Sequence, residues 1–272
     1  MGAGIAEVGG RAGVDVVLVE VTPSAADAAR GRIEQSLERA VARGKTGTEE
    51  ATIALGNIVV TDDFEALADR QLVIEAVPEL EVAKLDVFQR LDAVVADGEA
   101  ILASNTSSIP IMKLAMVTER PEQVVGLHFF NPVPVLPLVE IVESLLTDRE
   151  VTKRVATFAE ERLSKRVIRS KDRAGFIVNA LLVPYLLSAI RMLESGFASA
   201  EDIDAGMVQG CAHPIGPLAL ADLIGLDTTM AVAQSLYEEF KEPLYAPPPL
   251  LSRMVAASLL GRKSGRGFFT YA

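Results

Sequence analysis

The sequence predicts an α/β domain with a mainly parallel β-sheet, followed by an all-helical domain. Short apolar runs alternate with amphipathic stretches up to about Glu143, which is typical of an α/β domain. Beyond that residue the strand-like runs stop and only helix-like segments follow. A length of 272 residues allows about two domains. We place them at residues 1–170 and 171–272, with the linker at residues 171–174.

The first segment resembles part of a nucleotide-binding unit. Apolar residues recur at helical spacing up to Gly13, and Val14–Glu20 is an apolar strand that ends in an acid. This order is typical of the second half of a Rossmann-type βαβ unit, in which a strand and a G-x-G-x-x-G turn come first. Only the third glycine, Gly2, falls within the sequence, and its usual role is close helix-to-strand packing. We therefore expect the natural protein to begin about ten residues earlier, and NAD to bind weakly without that strand and turn.

The remaining elements follow from hydrophobic periodicity and from glycine and proline breaks. Strands are predicted at Ile58–Thr61, Leu72–Val77, Ala100–Ser104, Val124–Phe129 and Leu138–Val142. Helices of the first domain are predicted at Ser24–Arg43, Phe64–Ala68, Glu79–Ala96 and Met112–Val117. Helices beyond Glu143 are predicted at Asp148–Ser164, Phe176–Glu194, Ala200–Gln209, Leu218–Tyr237 and Pro249–Leu260.

Composition narrows the choice of partners and compartment. A net charge of −11 argues against nucleic acid or an anionic membrane as the main partner. The longest uncharged run, Ala174–Ile190, is shorter than the roughly 20 residues of a spanning helix and contains Asn179 and Pro184. We interpret it as a buried helix, and we expect no membrane partner. The single cysteine, Cys211, suits a reducing cytoplasm and is expected to be a small buried residue.

Polar side chains follow three predicted strands, where open α/β sheets bind ligands. Glu20 is the acid expected to bond the adenosine ribose of NAD and to repel NADP, although a solvated strand-end acid is the alternative. Pro78 is expected to open a helix, so that Glu79 and Lys84 lie near the ligand edge. The pattern alone favours an acidic first turn and a solvated lysine there. Ser107 could donate to a substrate oxygen, or it could serve only the turn.

The stretch GLHFFNPVPVLPLVEIV carries the strongest chemical signal. His128 lies in an apolar strand, where a lone histidine is more often a core residue than a catalyst. Glu140 lies within a second apolar run, and a buried carboxylate is costly unless it is paired. The three prolines between them favour a stiff loop that reverses the direction of the chain, so Glu140 can lie beside His128. A carboxylate on one imidazole nitrogen leaves the other free to take a proton, as a general base requires.

Two further polar residues carry weaker signals. His213 stands in a turn between helices, and we assign it no catalytic role. Asn179, on an apolar helix, must find a hydrogen-bond partner, for which a neighbouring helix is the alternative to a substrate.

Taken together, the motifs closely resemble those of the L-3-hydroxyacyl-CoA dehydrogenases, especially the short bacterial 3-hydroxybutyryl-CoA dehydrogenases. The resemblance runs through MGAGIAE, SNTSS, GLHFFNPVP, LVEIV, KDxxGFIVN, HPIGPLALADLIGLDT and GRKSGRGFF, over essentially the whole chain. The chain departs from the pattern in the linker, where Ser164-Lys165-Arg166-Val167 replaces a Gly-Lys-x-Pro stretch. It departs again at Ala174, where the family usually has proline.

The resemblance implies reversible, NAD-dependent oxidation of (S)-3-hydroxyacyl-CoA, with short acyl chains favoured. By position, His128 would be the base, Glu140 would orient it, and Ser107 and Asn179 would hold the substrate oxygens. Positions that match NAD contacts are Gly2, Glu20, Glu79, Lys84, Ser107, Asn131 and Lys263. Positions that match the CoA-binding helix end are Ser36, Arg43 and Lys45, of which the lysine is offset.

Several alternatives stay open at this point. The substrate could be a 3-hydroxy acid that is not a CoA thioester, or the chain could be a non-catalytic homologue that dimerises and binds acyl-CoA. The pathway could be β-oxidation, butyrate metabolism or polymer metabolism. We expect a homodimer through the helical domain, because the helices predicted at Phe176–Glu194 and Leu218–Tyr237 are apolar over more of their circumference than one small domain can bury.

Overall fold

The structure is a computed structural model that describes residues 1–271. These residues form two compact units, Met1–Asp172 and the described residues from Arg173 onward. Each unit has its own hydrophobic core.

The first unit alternates strands and helices, as its sequence pattern predicts. Its strands are β1 (Val16–Val19), β2 (Ile58–Thr61), β3 (Leu72–Glu75), β4 (Ile101–Ser104), β5 (Val124–Phe129), β6 (Leu138–Glu143) and β7 (Arg166–Lys171). Its helices are α1 (Gly2–Arg11), α2 (Pro23–Ala42), α3 (Thr48–Gly56), α4 (Glu81–Val94), α5 (Ile111–Ala115) and α6 (Arg149–Thr157). Short 3₁₀ turns lie at Phe64–Leu67 and Pro121–Gln123, and a π-helical turn at Phe158–Arg162.

The strands form two sheets. β1 and β2 pair in parallel, and β3 to β7 form a five-stranded sheet in the order β3-β4-β5-β6-β7. Every pair in the larger sheet is parallel except β5 with β6, which is antiparallel. The predicted mainly parallel sheet is therefore confirmed. The carboxyl ends of β3, β4 and β5 meet at one edge, and β6 begins at that edge because it runs in the opposite direction.

Glycines let α1 lie close to its neighbours. A Cβ on Gly10 would lie 2.5 Å from the Ala54 carbonyl oxygen and 2.7 Å from Ile58, and a Cβ on Gly9 would lie 2.8 Å from Val16. At Gly2 a Cβ would meet Leu18 at 3.5 Å, which is ordinary contact. The tight helix-to-strand packing predicted at Gly2 thus occurs about two turns later along the same helix, at Gly9 and Gly10.

The second unit is helical, as predicted. It contains α7 (Val178–Glu194), α8 (Ala200–Ala205), α9 (Pro217–Ile224), α10 (Leu226–Phe240) and α11 (Pro249–Ala256), with a π-helical turn at Gly206–Gly210 and a 3₁₀ turn at Arg262–Ser264. Its core includes Leu186, Leu187, Ile190, Leu218 and Leu236, each at most 1% exposed. Among residues 1–271, the helices are too short or too polar to cross a membrane.

Two elements were not predicted. β7 pairs in parallel with β6 at the edge of the sheet, although the strands had been expected to stop near Glu143. Basic residues interrupt its apolar positions, as is common in edge strands, and this hides the alternating pattern. The helix α3 lies in a stretch that had been left without structure. It is short, and the Glu50 carboxylate accepts the Gly47 N–H at its start.

Three local predictions were wrong. The helix predicted at Leu218–Tyr237 is two helices, because Gly225 adopts a positive φ of 103° between α9 and α10. Pro78 does not open a helix, since α4 begins at Glu81. Cys211 is exposed rather than buried.

Candidate active site

The central pair of the site is His128 and Glu140. Residue 128 on β5 lies opposite residue 140 on β6 in the antiparallel register, and Nδ1 of His128 lies 2.8 Å from Oε2 of Glu140. Glu140 is fully buried and His128 is 4% exposed. The predicted pairing of these two residues is confirmed. Since a carboxylate only accepts, Nδ1 carries the proton, and Nε2 of the neutral ring is an acceptor.

Ser107 lies at that second nitrogen. Its hydroxyl oxygen is 3.0 Å from Nε2 of His128, so the hydroxyl donates to the neutral ring. Ser107 is half-buried, and the Phe130 ring contacts the imidazole with 4.7 Å between ring centroids. The Asn105 side-chain oxygen accepts the Phe129 N–H at 2.8 Å and joins the segment after β4 to β5. Ser107, His128 and Glu140 thus form a continuous chain of contacts.

Glu79 holds the segment that carries Ser107. Its Oε1 accepts the backbone N–H groups of Ser107 at 2.9 Å and Ser108 at 3.0 Å, and also the hydroxyl groups of Thr106 and Ser108. Burial alone would raise the pKa of Glu79. The Lys84 ammonium and these hydrogen bonds outweigh burial, so that the pKa lies below its usual value. Glu79 is therefore a carboxylate that fixes a loop as well as a candidate cofactor contact.

Lys84 and Glu75 form a buried ion pair behind Glu79. Nζ of Lys84 lies 2.7 Å from Oε1 of Glu75 and 3.4 Å from Oε2 of Glu79, and Lys84 is only 1% exposed. The sequence pattern favoured a solvated lysine at this position, and that prediction is wrong. Sequence reasoning missed Glu75 altogether, although it lies in the apolar run LVIEAV. The argument from a buried acid that singled out Glu140 would have found it.

The first unit also holds groups that suit a dinucleotide. Glu20 follows β1 directly, is half-buried, and lies 3.5 Å from the Arg32 guanidinium. Gly2 begins α1, whose first turn has no side-chain cap. The backbone N–H groups of this first turn can bind a pyrophosphate, and a strand-end acid can bind the hydroxyl groups of a ribose. Asn131 is exposed just after β5. These groups fit NAD.

Some predicted site residues belong to other parts of the molecule. Asn179 lies in the first turn of α7 and is half-buried, in the second unit. Lys263, also in that unit, lies 2.6 Å from both carboxylate oxygens of Asp227. Ser36 lies on α2, while Arg43 and Lys45 are exposed just beyond the end of that helix. Within residues 1–271, no cluster of three or more histidine, cysteine or acidic side chains could hold a metal ion.

A mainly parallel sheet with a strand-end acid and a buried histidine–carboxylate pair fits an NAD-dependent dehydrogenase, in which the acid would bind the ribose and the histidine would act as the base. Residues 1–173 match the NAD binding domain of 3-hydroxyacyl-CoA dehydrogenase, and residues 175–271 match the C-terminal domain of that family. The chain belongs to the 3-hydroxyacyl-CoA dehydrogenase family. It is an NAD-dependent oxidoreductase, and the resemblance drawn from its motifs is confirmed.

Known relatives and solved structures are similar to this chain over nearly its whole length. The 3-hydroxybutyryl-CoA dehydrogenase of Mycobacterium tuberculosis H37Rv is 59% identical over 271 residues, covering 100% of this chain and 95% of the relative. The crystal structure of FadB2 from M. tuberculosis has a TM-score of 0.98 at 59% identity and covers 99% of this chain and 95% of its own. The (S)-3-hydroxybutyryl-CoA dehydrogenase of Ralstonia eutropha has a TM-score of 0.94 at 42% identity and covers 100% and 95%.

Proposed function

We propose that this protein oxidises short-chain (S)-3-hydroxyacyl-CoA thioesters, such as 3-hydroxybutyryl-CoA, to 3-oxoacyl-CoA with NAD, and that the reaction is reversible. The observation that carries the proposal is the chain of contacts from Ser107 through His128 to the buried Glu140. The names of the two 3-hydroxybutyryl-CoA dehydrogenases above support the acyl length.

His128 is the general base in this proposal. Its Nε2 takes the proton of the substrate 3-hydroxyl group, and the carboxylate of Glu140 stabilises the imidazolium that forms. When the substrate hydroxyl replaces Ser107 as the donor to Nε2, the Ser107 hydroxyl donates to the substrate oxygen instead and keeps it beside the base. Asn179 is proposed as the second group that holds a substrate oxygen.

The same proposal assigns the cofactor and CoA contacts. NAD, when bound, would supply the acceptor for the hydride that leaves C3. The residues that would hold it are Gly2, Glu20, Glu79, Lys84, Ser107, Asn131 and Lys263. Glu20 would favour NAD over NADP, since a 2′-phosphate would meet a carboxylate. Ser36, Arg43 and Lys45 would hold CoA, and the exposed basic pair suits its phosphates.

The test is kcat/KM across a series of (S)-3-hydroxyacyl-CoA chain lengths, with free 3-hydroxybutyrate as the comparison. We expect the four-carbon thioester to lead the series and the free acid to be turned over at least about 100-fold less efficiently, because it lacks the CoA contacts. Equal efficiency with the free acid would overturn the CoA assignment.

We further propose that the protein is a cytoplasmic homodimer that associates through the second unit. Apolar side chains on its helices are exposed: Leu181 at 73%, Leu223 at 52%, Met192 at 41% and Tyr237 at 39%. Burial of such side chains against a second copy would be favourable. The single cysteine suits a reducing compartment.

A further inference from the structure

We propose that Lys165 is a positioning residue for the cofactor site, and that it holds the segment 131–137, here called the proline loop, against the first turn of α1. The proline loop connects β5 to β6. It carries Asn131, and α1 begins at Gly2, so the inference rests on the cofactor contacts of the proposed function. Lys165 lies immediately before β7 and has no role in the chemistry proposed above.

The ammonium group of Lys165 binds the proline loop directly. Its Nζ donates to the Val133 carbonyl at 2.6 Å and to the Leu136 carbonyl at 2.7 Å. Lys165 is only 8% exposed, and within residues 1–271 no carboxylate pairs with its ammonium. A buried charge is costly unless polar groups surround it. The stability of the ammonium therefore depends on the two loop carbonyls staying in place, and the ammonium in turn fixes them.

Backbone hydrogen bonds fix the start of the Lys165 side chain. The Lys165 N–H donates to the Ala159 carbonyl at 2.8 Å, and the Arg166 N–H donates to the Pro137 carbonyl at 2.7 Å. The chain at Lys165 is thus joined to the π-helical turn before it and to the end of the proline loop. The side chain reaches the loop from a fixed point.

The proline loop contacts α1 where the pyrophosphate of a dinucleotide would bind. A Cβ on Gly4 would lie 3.2 Å from Cβ of Val133 and 3.6 Å from Cδ of Pro134. Val133 is 2% exposed and belongs to the same core cluster as Val8 of α1. Because anions bind at the N-terminus of a helix, a shift of this loop would change the walls of the cofactor site. Lys165 would act on NAD through the loop.

The catalytic pair is held in a different way. His128 and Glu140 lie opposite each other within the antiparallel ladder of β5 and β6, so the strands themselves keep the two side chains together. Loosening the proline loop should therefore weaken cofactor binding and leave turnover largely intact.

Titration of NAD tests this separation. We expect Lys165→Met to raise the Kd for NAD about tenfold, because a loosened loop must be ordered again when the cofactor binds. At saturating NAD, kcat and the KM for 3-hydroxybutyryl-CoA should each stay within about threefold of wild type. Lys153→Met is the matched control, since the Lys153 side chain is 72% exposed in the same unit, and its Kd for NAD should be unchanged.

Hydrogen exchange in the NAD-free enzyme gives a second measurement. The N–H groups of Val135 and Leu136 both donate to the Pro132 carbonyl at 3.0 Å. In Lys165→Met these two amides should exchange at least about tenfold faster, while the amides of β5 and β6 keep their wild-type rates.

Three results would overturn the inference. The first is a Kd for NAD within about twofold of wild type in folded Lys165→Met, and the second is unchanged exchange in the proline loop. The third is a loss of kcat with the Kd for NAD unchanged. If Lys165→Met fails to fold, the same measurements on Lys165→Gln decide, because its amide is neutral and shorter by one bond.

The titration also separates this inference from the proposed function. It needs no acyl-CoA, so a different substrate would leave the result for Lys165 intact. A wild-type protein that does not bind NAD would instead overturn the proposed function.

Discussion

Replacing Glu140 with glutamine tests the His128–Glu140 pair most directly. The substitution keeps the size of a fully buried side chain and leaves an amide oxygen that can accept from Nδ1 of His128, which now lies 2.8 Å from the carboxylate. What it removes is the negative charge. The experiment therefore separates charge stabilisation of the imidazolium from orientation of the ring.

The expected loss follows from the charge that develops on His128. Two unit charges about 4 Å apart interact by about 4 kcal/mol at the effective dielectric constant of about 20 that suits proteins. If about half of the proton charge has reached the imidazole in the transition state, the carboxylate contributes about 2 kcal/mol, or a factor of roughly 30 in kcat. Both residues are buried, so added salt should change this factor little.

The assay is the initial rate of NADH formation at saturating NAD and 3-hydroxybutyryl-CoA, compared between wild type and Glu140→Gln. Glu143→Gln is the matched control, because Glu143 lies on the same strand but pairs with the exposed Lys171, and it should retain wild-type turnover. A kcat for Glu140→Gln within about threefold of wild type would show that the charge of Glu140 does not act in the rate-limiting chemistry.

Three further predictions follow from the same structure. His128→Gln should lower kcat by about 10²–10⁴-fold with an unchanged Kd for NAD, measured by titration; near-normal turnover would refute its role as base. The lowered pKa of Glu79 means that its stabilising effect is present above its unfolded value of 4.5 and is lost as the pH falls through the lower folded value. Wild type should thus lose more thermal stability than Glu79→Gln on acidification below about pH 5, and parallel curves would contradict this. Light scattering should report a dimer for wild type at micromolar concentration and a monomer for Leu181→Asp, whereas a wild-type monomer would refute the proposed interface.

The sheet could be predicted from the sequence where strands are buried on both faces. The boundaries of β5 agree with the prediction to the residue, because a continuous apolar run marks a strand that is covered on both sides. The boundaries of β2 also agree to the residue, although Ile58 is the only buried residue of that strand. β7 was not predicted because it is an edge strand with only two apolar residues among basic and polar ones, so that no alternating pattern marks it. The break at Gly225 was not predicted, because the local sequence pattern does not show whether a glycine within an apolar stretch keeps a helical φ. The predicted segment upstream of Gly2 stays a prediction.

The pairing of His128 with Glu140 was predictable because two rules agreed. An acid in an apolar strand needs a partner, and the proline-rich return between the strands brought one histidine within reach. The contact of Ser107 with His128 could not be derived in this way. It depends on the order of β4 and β5 in the sheet, which places the end of one strand beside the other, and sequence spacing contains no information on that order.

Glu75 shows how far the same rule reaches. Applied to LVIEAV, the cost of burying a carboxylate predicts a nearby cation, and Lys84 is the first basic residue that follows it in the chain. The rule would not have predicted that Lys84 also lies 3.4 Å from Glu79, which accepts the backbone N–H of Ser107. Glu140 acts from β6 on one side of Ser107, and Glu75 with Lys84 acts from β3 and α4 on the other. Because Ser107 contacts the base directly and is held by Glu79, a change in either buried carboxylate should be felt at its hydroxyl.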